Sequence, residues 1–280
     1  MSVRPARART TQARQRRGAW TRALVTGGSA GIGEAFARAL AGEGTALVLV
    51  ARRREPLGRL AEELRERHGV EVEVIPRDLT DDAELAEVEA RLTDETRPID
   101  LLINNAGGET EHGVVRDRDR ELLEAEVRLN VVATLRLTHA AVGAMSARGR
   151  GFVINVSAGN AFFPTPGSAA YGASKAFINS LTEALAYELR GSGVRLTAVC
   201  PGFTRTGAQD RLGLNRHAFP RFMWRNADAV ARDGLRAARR KKVVSCLNSS
   251  GAFGAFAARH LPHRLLTPLV ARATARFASG

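Results

Sequence analysis

Two residue types that this chain uses sparingly stand four positions apart. It has two tyrosines and three lysines among 280 residues, and 39 of its 42 basic residues are arginine. Yet Tyr171 and Lys175 fall together in a stretch, from Ala169 onward, that is patterned as a helix. At that spacing both side chains project from one helical face. A free phenol, with a pKa of about 10, holds its proton too firmly to act as a base near neutrality. A cation at close range favours the phenolate and brings the group toward a useful range. Lysine suits that task better than arginine, because its ammonium is compact and its flexible stem lets it serve a second hydroxyl as well. The pair points to acid–base chemistry at an oxygen atom, although an exposed helix can carry the same two residues for no chemical reason.

Other polar residues stand in positions with similar potential. Ser157 ends the run Ile154-Asn155-Val156-Ser157, where its hydroxyl could donate to a substrate oxygen as charge develops there; capping a turn is serine's commoner use. Asn130 interrupts an apolar helical stretch (Leu129, Val131, Val132), an odd choice unless its amide has a task. Upstream, Thr26-Gly27-Gly28-Ser29-Ala30-Gly31-Ile32-Gly33 leads into a helix. Glycines there permit a tight turn and a close backbone approach to a pyrophosphate, and the helix start offers free N–H groups to it. The spacing is G-x-x-x-G-x-G, and an ordinary glycine-rich turn would look the same.

A second apolar run ends at Ala51-Arg52-Arg53-Arg54. An acid there would take the ribose 2′-hydroxyl of NAD, whereas arginine accommodates the 2′-phosphate of NADP; Arg52 and Arg53 therefore favour NADP(H). Asp78 and Leu79 follow the third run, where a carboxylate and an apolar neighbour would meet an adenine, or where a helix cap would sit. Asn104, Asn105, Ala106 and Gly107 follow the fourth, small and polar where a ribose would lie. Pro201, Gly202, Thr204 and Thr206 follow the sixth, with hydroxyls for a nicotinamide carboxamide.

The elements that must hold these residues alternate strictly. Strands are expected at Ala23–Thr26, Ala46–Ala51, Val70–Ile75, Ile99–Asn104, Phe152–Ser157 and Val194–Cys200, with a weaker one at Val243–Leu247. Helical patterns lie near residues 31–42, 55–68, 81–96, 118–147, 169–191 and 226–240. Continuous apolar strands such as Leu47-Val48-Leu49-Val50 suit a parallel sheet covered on both faces. The expected architecture is one Rossmann-like, doubly wound α/β domain, with its site outside the carboxyl ends of the strands.

Composition narrows the class. Hydrophobic residues at 44% and charged residues at 25% describe a globular chain, and Cys200 and Cys246 make no disulfide framework, which suits a reducing compartment. The net charge of +13 is confined to the ends. Residues 1–18 hold six arginines and residues 234–280 nine basic residues, both without an acid; the rest carries 27 bases against 29 acids. Residues 1–20 are expected to be a disordered basic tail. Without interleaved aromatics they promise only non-specific attraction to nucleic acid. No run of eighteen apolar residues exists, so the expectation is a cytoplasmic protein.

Taken together and in this order, Thr26-Gly27…Gly31-Ile32-Gly33, Asn104-Asn105-Ala106-Gly107, Asn130, Ser157, Tyr171…Lys175 and Pro201-Gly202…Thr206 resemble the short-chain dehydrogenase/reductase family over about residues 21–250. The resemblance implies a seven-stranded sheet in the order 3-2-1-4-5-6-7 and a homodimer or homotetramer. It implies an NADP(H)-dependent oxidoreductase acting on a small carbonyl or alcohol, with Tyr171 as catalytic acid/base. Lys175 would lower that pKa and bind ribose, Ser157 would orient the carbonyl, and Asn130 would support a water-linked proton relay. Ala30 departs from members that carry a basic residue in the glycine loop, which leaves the NADP preference to Arg52 and Arg53. A catalytically silent cofactor-binding sensor on the same fold is the alternative, against which the intact Ser157, Tyr171 and Lys175 count.

Between Thr206 and Asn226, Leu212, Leu214, Phe219, Phe222, Met223 and Trp224 form a candidate lid suited to a hydrophobic ketone, with Phe162, Phe163 and Pro164 on the same wall. In residues 251–280, Leu261, Leu265, Leu269, Ala273 and Phe277 alternate with arginines in a basic amphipathic pattern that Pro262 and Pro268 interrupt. Such a segment suits an anionic membrane surface, a pocket cover or a neighbouring subunit.

Overall fold

Seven parallel strands meet the expectation of a sheet buried on both faces. The computed structural model describes residues 20–207, 212–213, 220–247 and 262–278. Residues 1–19 of the expected basic tail, and Leu214, Phe219 and Leu261, lie outside them, as do the side chains of Phe222, Ala273 and Phe277, whereas Trp20, expected in the tail, is buried in the core. The strands are β1 (Arg22–Thr26), β2 (Ala46–Val50), β3 (Val72–Ile75), β4 (Leu101–Asn104), β5 (Gly151–Val156) and β6 (Val194–Cys200). Two-residue strands β7 (Thr204–Arg205) and β8 (Arg225–Asn226) pair with each other, and β9 (Val244–Cys246) completes the main sheet. Its order is β3-β2-β1-β4-β5-β6-β9, the order implied by the family resemblance. Every neighbouring pair is parallel.

The continuous apolar runs are explained by two cores. Ala23, Val25, Leu47 and Leu49 face one core with Phe36 and Leu40 of α1 (Gly31–Gly42) and Leu57 and Leu64 of α2 (Arg54–His68). Val230 and Leu235 of the helix Ala227–Arg239 join that core. Leu24, Val48 and Val50 face the other with α3 (Asp82–Thr93) and α5 (Thr134–Ala147). Alternate residues of one strand thus enter opposite cores. Beyond the sheet, α4 (Arg120–Val127) and α6 (Ala169–Glu188) pack together, α7 (Ala227–Arg239) lies against α1, and α8 (His263–Ala278) ends the described chain.

Two expectations change. The helix expected over 118–147 is α4 and α5 joined by a π-helical turn, Arg128–Ala133, with Asn130 buried in it; π turns gather at functional sites. In α8 the helix runs through Pro268 rather than breaking there, with Leu265 and Leu269 both exposed. Pro268 removes one backbone donor, and the surrounding turns hold the helix regardless.

The strand order reverses between β1 and β4, and there the chain opens a crevice. One hydroxyl shapes its floor. Thr26 Oγ1 donates to the Ile103 carbonyl at 3.3 Å and accepts from the N–H groups of Asn105 and Ala106, both at 3.0 Å. Replacing it with valine orphans two inward-facing N–H groups at about 1–3 kcal/mol each. Thr26→Val should therefore lower the unfolding free energy by about 2–6 kcal/mol, read from denaturant unfolding.

Candidate active site

The glycine turn is built by close approach. Gly27 has φ +65°, and a Cβ on it would stand 2.8 Å from Asn105 Nδ2. A Cβ on Gly33 would overlap the Gly27 carbonyl. Asn105 Nδ2 donates to the carbonyls of Thr26 and Gly27 at 3.0 and 3.3 Å, fastening this turn to the end of β4. Ala30 is the N-cap of α1 and offers no capping side chain, so the N–H groups of the first turn keep their affinity for an anion. Gly31 has φ +59°, and a Cβ there would lie 3.3 Å from Thr206 Cγ2. The loop after β6 therefore closes against the turn after β1, and Thr204 Oγ1 donates within it to the Gly202 carbonyl at 3.0 Å.

Ser29 and Ile32 sit in the same turn. Arg52 and Arg53 stand exposed at the end of β2, with Arg52 Nη1 3.8 Å from Asp78 Oδ2. Asp78 Oδ1 accepts from the Thr80 N–H and hydroxyl. Leu79 is buried in the core with Val48 and Val50, so its side chain packs the domain rather than an adenine. Asn104 is likewise turned inward: its Nδ2 donates to Thr138 Oγ1 and Asn155 Oδ1, at 3.0 and 2.9 Å. Asn155 Nδ2 in turn donates to Thr182 Oγ1 at 3.0 Å. The amide expected beside a ribose instead ties β4 through β5 to α6.

Asn130 and Lys175 meet at Gly107. A Cβ there would overlap Asn130 Oδ1 and lie 3.4 Å from Lys175 Nζ, and its φ of +153° suits glycine. The Asn130 amide is fixed by Gly108, accepting its N–H at 2.9 Å and donating to its carbonyl at 2.8 Å. Lys175 Nζ lies 5.6 Å from the centre of the Tyr171 ring and donates to the Val156 carbonyl at 3.0 Å. Ser157 Oγ donates to the Lys175 carbonyl at 3.0 Å. Tyr171, Lys175, Ser157, Asn130 and Gly107 thus share one end of the sheet.

The electrostatics differ from expectation. Burial pulls the Lys175 ammonium down to about 8. Burial, and then the carboxylates of Glu109 and Glu126, push the Tyr171 phenol above its ordinary value. The expected lowering by Lys175 is outweighed, because its amine is turned to a backbone carbonyl and its own charge is weakened by the same desolvation. A phenol so held keeps its proton near neutrality. Glu109, Glu126, His112 and Arg118 are the residues that sequence reasoning missed, since nothing in their spacing marks them. In the lid segment, Trp224 is buried and stacks on Phe203 with ring centres 5.2 Å apart, so it packs rather than swings free.

The folded Lys175 pKa lies below the unfolded value near 10.5. Its desolvation penalty is therefore complete below about 8 and vanishes as pH rises past 10.5. Lys175→Met should be inactive yet more heat-stable than the parent at neutral pH, with the gap in Tm narrowing from pH 8 upward.

The family model of short chain dehydrogenases matches residues 21–217. Sulfoacetaldehyde reductase 2 of Chromohalobacter salexigens is 36% identical over 184 residues, 65% of this chain and 72% of that protein. A short-chain dehydrogenase of Sphingobium yanoikuyae, solved in complex with NADPH, superposes with TM-score 0.78 at 36% identity, covering 85% of this chain and 92% of that one. The bulky-bulky ketone specific alcohol dehydrogenase of Comamonas testosteroni superposes with TM-score 0.74 at 33% identity, with the same coverage.

Proposed function

The chain belongs to the short-chain dehydrogenase family, a family of oxidoreductases, and on that premise we propose that it reduces a hydrophobic ketone to an alcohol with NADP(H), Tyr171 giving the proton. The observation that carries this reading is the convergence at Gly107, where the turn after β4 meets Asn130 and Lys175 without room for a Cβ. The nucleotide fits the residues present: an uncapped helix start and glycines that admit a phosphate on one side, Thr206 and Gly202 on the other. Arg52 and Arg53 would hold the 2′-phosphate as paired guanidiniums. When bound, the reduced nicotinamide supplies two electrons and a hydrogen to the carbonyl carbon.

The protein's own groups do the rest. As charge develops on the carbonyl oxygen, the Tyr171 hydroxyl gives it a proton, so that C=O becomes CH–OH and a phenolate remains. Lys175, with its pKa near 8, is substantially charged at neutrality and stabilises that phenolate. Ser157 can turn its hydroxyl from the Lys175 carbonyl to the substrate oxygen, adding a second donor. Asn130 holds the turn beside Lys175 so that a proton can return along this side. The half-buried Phe162, Phe163 and Met223 would give the approach apolar side chains, and the Comamonas relative is specific for bulky-bulky ketones.

Tyr171→Phe should keep its circular dichroism and its NADPH binding while losing about a hundredfold or more of its NADPH-dependent ketone reduction. An unchanged rate defeats the mechanism. Replacing Arg52 and Arg53 by alanine should weaken NADPH binding by about tenfold or more per guanidinium while leaving NADH binding nearly unaltered; fluorescence titration with both nucleotides reads the difference.

A further inference from the structure

The two cysteines of this chain stand side by side, and the mechanism above uses neither. Cys200 ends β6 and Cys246 ends β9, and the register of these parallel strands sets them directly opposite each other. The ladder fixes that pairing on both sides. The Ala198 N–H donates to the Val243 carbonyl at 2.7 Å, and the Leu247 N–H donates to the Cys200 carbonyl at 3.2 Å. Opposed residues of neighbouring strands project from the same face of a sheet, with their backbones about 4.8 Å apart. A disulfide accepts Cα separations of about 4.4–6.8 Å, so the two sulfurs are within bonding reach. The fit lies near the short end of that range, which strains such a bond and makes it easy to reduce.

Their surroundings differ. Cys200 is 1% exposed, and its thiol donates to Asn179 Oδ1 at 3.4 Å. Cys246 is half-buried and within reach of a small solute. The Cys246 thiol beside it, and then burial, push the Cys200 thiol up, outweighing the hydrogen bonds of Ser157 and Asn179. Cys200 therefore keeps its proton, and Cys246 is the sulfur left to react first. Asn179 lies on α6 one turn beyond Lys175 and two beyond Tyr171. Its Nδ2 is buried and has no hydrogen-bond partner among the described residues. The bond from Cys200 thus carries the attachment of this amide to β6.

We propose that Cys200 and Cys246 are a reversible redox pair, closed into a disulfide by a hydroperoxide, whose closure loosens the helix that carries Tyr171 and Lys175. Cys246 Sγ attacks the peroxide O–O bond and becomes a sulfenic acid, while the peroxide leaves as an alcohol, or as water from hydrogen peroxide. Cys200 Sγ then attacks that sulfur. The S–S bond forms, the S–OH bond breaks, and the hydroxyl leaves as water with the Cys200 proton. Two thiols are thereby oxidised by two electrons and one peroxide is reduced. The Cys200 S–H no longer exists, so Asn179 Oδ1 loses its donor and a buried amide is left unpaired. That loss is costly, and a shift of α6 relieves it at the expense of the geometry at Lys175. Pro201 and Gly202 follow Cys200 directly, and their loop meets the glycine turn where Thr206 approaches Gly31, so strain at Cys200 reaches the nucleotide side too. The effect on ketone reduction rests on the roles proposed for Tyr171 and Lys175; the thiol chemistry does not.

A chain with two cysteines makes the count simple. Hydrogen peroxide added to the full chain should take the thiols titrated in denaturant from two to none. The monomer should lose the mass of two hydrogens, and dithiothreitol should restore both thiols. The oxidised protein should reduce ketone about tenfold more slowly and bind NADPH several-fold more weakly, and dithiothreitol should reverse both changes. Cys246→Ser should keep the Cys200 thiol and its full rate under the same treatment; should it fail to fold, Cys246→Ala serves the same test. Cys200→Ser should stop at a sulfenic acid on Cys246, which dimedone captures. A sulfinic acid on Cys246 with Cys200 still reduced, or a disulfide between two chains, overturns the proposal. So does an oxidised monomer whose rate and NADPH affinity match those of the reduced one. Absence of ketone turnover by the reduced parent would sink the proposed function, while thiol count, mass and NADPH titration would still decide this one.

Discussion

A buried ammonium organises this end of the molecule. Lys175 is 5% exposed, and a cation so enclosed is costly unless hydrogen-bonded. The Val156 carbonyl at the end of β5 meets part of that cost. Much of the neighbourhood follows from it. Gly107 lacks a side chain because one would press on the amine and on Asn130. Asn130 is locked to Gly108 from both ends of its amide, and the π turn that carries it widens the helix where the chain must pass. A chain otherwise built on arginine keeps one lysine here, since a guanidinium is larger and does not surrender its charge.

The placement of that ammonium relies on polar threads beneath the sheet. The path Thr138–Asn104–Asn155–Thr182 crosses β4 and β5 and reaches α6 two turns beyond Lys175. It is enclosed and continuous, and such networks specify a unique arrangement in a way apolar packing does not. Thr26 performs the corresponding service between β1 and β4. The two cores supply adhesion, while these few hydrogen bonds supply register at the edge where chemistry happens.

The fold was legible because its signal is repeated: six strong apolar runs alternate with helical ones, and burial on both faces leaves little ambiguity. The site was legible where residue type itself is scarce, as for Tyr171 and Lys175, or where glycine is forced, as at Gly27, Gly31 and Gly107. It was misread where a residue's neighbours decide its role. Asn104 and Leu79 belong to motifs that end at the crevice, but the alternation of a strand turns the Asn104 side chain to the far side, and Leu79 packs under the helix that follows. Glu109, His112 and Ser168 were invisible because their meeting depends on a loop folding back across about sixty residues, a contact that no local pattern encodes. The direction of the phenol's acidity differs from expectation because the tertiary fold buries Tyr171, and two carboxylates brought near it by the fold add to that effect.

The parallel order of the sheet also governs how the molecule comes to exist. Thr26 must find Ile103 across 77 positions before the crevice has a floor, and Lys175 must then find Val156. Such distant pairings lose loop entropy before they gain contacts, and chains rich in them fold slowly. During synthesis the glycine turn leaves the ribosome long before α6, so the growing chain carries that turn before the residues it will face exist. The crevice is therefore completed late, with the closing of the central strands.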